Sequence, residues 1–198
     1  FLRYCNSQGI KTLDPDSFET MVYSEKKLEL PNKSEIHKLF TVELPTREKA
    51  LIEILFSTGL RINELKQTKI EDVRFDEGSL TVKGKGGKVR LVFLTEKALE
   101  ILKEHIKDKT KGYIFPETIR TLQRLIKASA SIAGIKTKIT PHMIRHIFAT
   151  DLLQNGANIY MAQKLLGHSS ITTTERYLHV SNEHLKEQFK KFHDTTRP

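Results

Sequence analysis

Apolar residues recur at helical spacing along most of the chain. Ile36, Leu39 and Phe40 share one face of a short helix that Ser34 is placed to cap, and Ala50, Leu51, Ile54 and Leu55 line a second helix that starts at Thr46 and stops at Gly59. A third short helix is expected over about Arg61 to Gln67. The period then changes to alternation: Leu80-Thr81-Val82 and Val89 to Leu94 flank Gly84-Lys85-Gly86-Gly87, which predicts two antiparallel strands joined by a glycine-rich turn. No other stretch carries a comparable strand signal. Helical spacing returns after Thr95 with Ala98, Leu99, Ile101, Leu102 and Ile106, and again from about Thr118 to Ala133, ahead of Gly134. Thr140 and Pro141 form an N-cap and first-turn pair for a helix reaching Asn155, and Asn158 caps another that Gly167 ends. A short turn near Thr172 to Arg176 leads to Tyr177. Asn182 opens a last helix with Leu185, Phe189 and Phe192 on one side. The pattern predicts a mainly α fold with a small antiparallel β-sheet.

The N-terminal stretch is different in kind. Phe1, Leu2, Tyr4 and Cys5 before Gly9 read as the last turn of a helix, so residues 1–9 are a tail. Residues 10–33, with Asp14-Pro15 and Pro31-Asn32, hold neither period and read as an interdomain linker. Residues 34–198 form the main domain. The first residue is Phe1, so the chain is expected to be a fragment whose N-terminal part is absent.

Composition narrows the partners. The 198 residues carry 33 Lys and Arg against 24 Asp and Glu, a net charge of +9, with a pI near 9.5. Such an excess suits a polyanion, either nucleic acid or an anionic membrane surface. With 38% hydrophobic residues, disorder is excluded as a description of the whole. One cysteine, Cys5, excludes an internal disulfide and a multi-cysteine zinc module. The longest apolar run, Ala50 to Phe56, is interrupted by Glu53 and falls far short of the ~20 residues of a membrane span, and no secretory signal is evident. A cytoplasmic protein is the expectation.

Four local patterns could carry chemistry. In Thr58-Gly59-Leu60-Arg61-Ile62-Asn63-Glu64-Leu65, Arg61 and Glu64 are spaced i, i+3, as in a surface ion pair. A guanidinium just after a glycine turn can equally present its fork to a phosphate. The hairpin holds Lys83, Lys85, Lys88 and Arg90, which serve either to discourage edge pairing or to contact a DNA backbone. His142-Met143-Ile144-Arg145-His146 opens a helix. Met143 occupies the place where a zincin needs its glutamate, so metal binding gives way to an anion site on His142 and Arg145 at a helix N-terminus, with His146 structural. Finally, the segment from Ala157 through Gly167-His168 to Tyr177 could pass for a helix-turn-helix in which Tyr177 only packs.

Taken together, two arginines, a lysine, two histidines and a tyrosine are the parts needed to move a phosphoryl group without a metal ion. The sequence resembles the tyrosine recombinase (phage integrase) family, in its Xer-like branch. The resemblance rests on the T-G-L-R-x-x-E-L box, the G-K-G-x-K-x-R hairpin, the H-x-x-R-H helix, and L-G-H followed nine residues later by tyrosine. It implies the recombinase catalytic-domain fold, with Arg61, Lys85, His142, Arg145 and His168 around a scissile phosphate, Tyr177 as nucleophile and Glu64 in support. Lys83, Lys88 and Arg90 would contact DNA. It further implies that residues 1–9 end a DNA-clamping domain, that the helix over 182–193 either docks on a neighbouring protomer or packs on its own domain, and that a homotetramer assembles on paired double-stranded sites through that helix, without cofactor, metal or ATP. Two other readings predict different outcomes on DNA. A helix-turn-helix module would bind without cleaving; a type IB topoisomerase would relax supercoils without exchanging partners.

Overall fold

The computed structural model describes residues 31–84, 87, 89–167, 186 and 189–194, the side chains of Lys33, Ile159, Phe192 and Asp194 excepted. The expected tail, most of the linker, Lys85, Lys88, His168, Tyr177 and most of the final helix lie outside that set.

The helices begin and end where side-chain chemistry sets them. The first, α1 (Lys33–Thr41), is capped by Asn32 rather than Ser34: the Asn32 side chain accepts from the Glu35 amide at 2.9 Å, and Glu35 reaches back to the Asn32 amide at 3.1 Å. The sequence N-K-S-E holds a capping box two residues ahead of the serine. Helix α2 (Thr46–Thr58) ends on Gly59, whose φ of 61° closes the last turn in the left-handed region. Next comes α3 (Ile62–Gln67), with Arg61 as its N-cap residue.

A single 3₁₀ turn, Ile70–Asp72, leads into a three-stranded antiparallel sheet in the order β1 (Val73–Arg74), β2 (Ser79–Lys83), β3 (Val89–Phe93). The sheet holds one strand more than the pattern predicts, because β1 is only two residues long and shows no alternation. Val82 pairs with Arg90 and Lys83 with Val89, placing the hairpin turn at residues 84–88. Helices α4 (Glu96–Ile106), α5 (Ile119–Ile132), α6 (Pro141–Gln154) and α7 (Ile159–Leu166) are capped by Thr95, Thr118, Thr140 and Asn158, each accepting from a first-turn amide; Thr140 and Asn158 are the caps expected from the sequence.

Helix α2 is the hub. It is apolar on nearly every side and packs against α1, α4, α5, α6 and β3. Its Leu51, Ile52, Ile54 and Leu55 join Leu60, Leu65, Leu80, Leu102, Phe115 and Leu122 in the main core. Each such side chain is worth roughly 1.5–3 kcal/mol when fully buried. A second, smaller core gathers Phe93, Phe148, Leu152, Met161, Leu165, Leu166 and Phe189, joining β3, α6, α7 and the C-terminal segment. The candidate site sits between these two cores.

Candidate functional site

Three elements bring charge together. Arg61 enters at the turn between α2 and α3, Arg90 projects from β3, and Arg145 comes from the second turn of α6. Arg61 and Arg90 both bind Glu64, and Arg145 lies within reach of its charge. The carboxylate is 8% exposed and accepts from the Arg61 amide at 2.8 Å and from Arg61 Nη1 at 3.2 Å. The i, i+3 spacing makes this local: Glu64 at the third position of α3 reaches back to the first unpaired amide of its own helix.

Arg90 grips the same carboxylate from the other side, Nη1 to Oε1 and Nη2 to Oε2, both at 2.9 Å. Burial pushes the Glu64 carboxyl up. The Arg90 hydrogen bonds, the Arg61 amide and the two guanidinium charges outweigh that and hold it below its ordinary value.

Arg145 is deeper still. It is 5% exposed and donates from Nη1 to the Gly59 carbonyl and from Nη2 to the Leu166 carbonyl at 2.7 Å. Burial, then the neighbouring Arg61 charge, pushes its pKa down to about 10, with Glu64 opposing. It therefore remains a cation near neutral pH. Arg90 Nε donates to the adjacent Leu165 carbonyl at 3.2 Å. Two guanidiniums thus occupy carbonyls at the C-terminal end of α7, where the helix dipole favours positive charge.

The other predicted residues fall into three groups. His142, at the second position of α6, is exposed. The sequence gives it a shared face with Arg145; in the fold His142 faces solvent and Arg145 is enclosed. His146, expected to be structural, is exposed as well, so it holds no place in the core. Lys83 is exposed at the end of β2. Lys85, Lys88, His168 and Tyr177 lie outside the described residues. The chain leaves α7 at Gly167, one residue before His168, next to the arginine cluster. Among the described residues no three His, Cys, Asp or Glu gather as a metal site, and no helix is long and apolar enough to cross a membrane.

Two features of the site escape the sequence patterns. Arg90 reads there as one more hairpin cation, whereas it is 15% exposed and bound to Glu64. The acceptors of Arg145 are main-chain carbonyls, which carry no residue signature.

A cluster of fixed cations around one carboxylate, in a chain of net charge +9, has the chemistry that suits a phosphate. The model of the phage integrase family matches residues 30–184. Tyrosine recombinase XerD of Listeria innocua is 32% identical, over 98% of this chain and 72% of its own length. Tyrosine recombinase XerD of Staphylococcus saprophyticus is 36% identical over 88% of this chain, which spans 66% of that relative. Among solved structures, the XerH site-specific recombinase bound to its difH substrate before cleavage superimposes with a TM-score of 0.61 at 29% identity, over 82% of this chain and 53% of that one. The chain belongs to the phage integrase family and, with it, to the tyrosine recombinases, enzymes of site-specific DNA strand transfer. That relationship favours neither a binding module without chemistry nor a type IB topoisomerase.

Proposed function

We propose that residues 34–198 are the catalytic domain of a site-specific recombinase acting on double-stranded DNA in the cytoplasm, and that residues 10–33 link it to the segment before them. Tyr177 attacks the scissile phosphorus through its phenolic oxygen. The bond to the 5′ oxygen breaks, a 3′-phosphotyrosyl ester forms, and the proton lost by the phenol passes to a base, with His142 assisting. Lys85, on the hairpin, protonates the departing 5′ oxygen. Arg61 and Arg145 hold the non-bridging oxygens as charge builds at five-coordinate phosphorus, His168 donates a hydrogen bond to them, and Glu64 keeps Arg61 in place. The ester conserves the energy of the broken bond, so a 5′ hydroxyl from a second strand reverses the step without ATP or metal. Lys83 and Lys88 hold the flanking backbone. The unit that exchanges strands is a homotetramer on paired sites.

The observation that supports this reading is the gathering of two held guanidiniums, Arg61 on the Glu64 carboxylate and Arg145 on the Gly59 and Leu166 carbonyls, beside the end of α7. Permanent cations held by packed elements supply the positive charge a phosphoryl transfer needs. The intact chain, incubated with a duplex nicked next to the cleaved phosphate so that the short product diffuses away, is expected to leave protein covalently attached to DNA on a denaturing gel. The adduct should form in EDTA. Tyr177→Phe should remove it, and an adduct that survives in that variant would falsify the assignment of the nucleophile.

A further inference from the structure

Arg90 carries an assignment that its place among the hairpin cations hides. Register is the first argument. Arg90 pairs with Val82, a core residue, so its side chain leaves β3 on the covered face, while the next pair, Lys83 and Val89, faces out. Donor geometry is the second. Three of its five N–H groups point inward, two in a parallel fork on Glu64 and one on the Leu165 carbonyl. Only a planar guanidinium can make that fork and reach the carbonyl at once.

Contact with Gly167 is the third argument. A Cβ on that residue would lie 2.9 Å from Arg90 Cζ and from Nη1, so glycine is required there by its φ of 65° and by the guanidinium it lies against. One side chain therefore touches the acid that orients Arg61, the last turn of α7, and the glycine from which the chain continues toward His168.

We propose that Arg90 is a positioning residue for strand transfer, fixing the Arg61–Glu64 pair and the exit of α7 in one geometry rather than binding a DNA phosphate. The inference rests on the recombinase reading above. Its charge is paired with Glu64, and three of its five donors face the interior, whereas a phosphate contact needs charge and fork in the open. Misplacing reacting groups by about 1 Å costs on the order of 100-fold in rate. The loss of Arg90 should therefore appear in the chemical step and leave binding intact.

The test uses the intact chain and a nicked duplex selected from a random pool on the wild-type protein. Arg90→Lys and Arg90→Gln are compared with wild type for thermal melting, for duplex affinity as a function of salt, and for the single-turnover rate of adduct formation at saturating DNA. Both variants should bind with wild-type affinity and salt slope and form adduct about 10- to 100-fold more slowly. The retained charge of lysine should not rescue the rate. A double variant with Glu64→Gln should be no slower than the slower single variant, because the two side chains act as one unit.

The proposal is overturned if Arg90→Gln flattens the salt slope by about 0.9 while its rate at saturation is unchanged, the signature of one lost phosphate contact. It is overturned equally by a wild-type rate in Arg90→Lys, which decides the matter should the glutamine variant fail to fold. Failure of the wild-type chain to form any adduct on its selected duplex would instead reject the recombinase reading, so the two failures are separate.

Discussion

Gly59 lies flat against the ring of Phe148. A side chain there would overlap Phe148 and meet Leu166 Cδ2 at 3.1 Å, and the backbone already sits at a φ of 61°. The carbonyl of the same glycine holds Arg145, three residues before Phe148 on α6. Gly59→Ala combines left-handed strain with overpacking of the second core, at about 1 kcal/mol and about 1–3 kcal/mol respectively. Chemical denaturation should show a loss of about 2–4 kcal/mol. In the folded fraction, adduct formation should slow more than DNA binding weakens, because the Arg145 acceptor moves.

Ser57 joins two layers of the domain. Its hydroxyl, fully buried, donates to the Phe93 carbonyl at 3.3 Å and accepts from the Thr95 amide at 2.8 Å, connecting α2 to the junction of β3 and α4. Ser57→Ala leaves that amide unpaired in the interior and should cost about 1–3 kcal/mol. Ser57→Thr keeps the hydroxyl, and if it is as damaging as alanine, the hydrogen bonds are not what matters.

Acid should loosen the site through Glu64. Its carboxyl is held below the ordinary value, so its contribution to stability is complete above the unfolded value of about 4.3 and is lost as pH falls through the lower folded value. At neutral pH, Glu64→Gln should cost about 3–5 kcal/mol, since it leaves Arg90 without its counter-charge in a largely enclosed place. The gap between wild type and variant should narrow below about pH 4.3. Urea titrations at neutral and acid pH measure it, and a gap that is constant with pH would count against an ionised Glu64.

Lys83 offers the contrast to Arg90. It is exposed at the end of β2, and Lys83→Ala should weaken duplex binding and reduce the slope of log affinity against log salt by about 0.9. Adduct formation at saturating DNA should keep its rate. Filter binding across a salt series decides it, and an unchanged slope removes Lys83 from the DNA face.

The C-terminal segment is fastened to its own domain at two described points. Phe189 is buried against Phe93, and His193 Nδ1 lies 2.7 Å from Asp151 Oδ2 amid Phe56, Phe148 and Phe189. Asp151→Ala should cost about 1–3 kcal/mol and raise amide exchange over residues 189–194. Unchanged exchange there would mean that the aromatic packing alone holds the segment.

Most of the helical scaffold is legible in the sequence because its ends are written in short-range chemistry. Thr95, Thr118, Thr140-Pro141 and Asn158 act on amides within one turn, and Gly59 and Gly167 are needed where φ turns positive. Asn32 shows the limit: its capping box needs Glu35 read together with it, and a serine two positions on is the more obvious choice. Strand β1 is invisible since two residues cannot show a period. Arg90 is the instructive case at the site. Alternation places it on the face of Val92, with Val89 opposite and 60% exposed, so the strand pattern marks Arg90 as inward while its charge argues for the surface. What no local pattern holds is its partner, because Glu64 lies 26 residues away and meets it only once the β2–β3 hairpin packs beside α3.

The arginine cluster also has an electrical stoichiometry. Arg61, Arg90 and Arg145, set against ionised Glu64, leave two net positive charges at one place in the fold. A phosphodiester brings a single negative charge and acquires a second when a phenolate adds to it. On the proposed mechanism, these arginines alone would equal in charge the dianion at the summit of the reaction and exceed the monoanion that precedes it, a balance that favours the fleeting species over resting DNA.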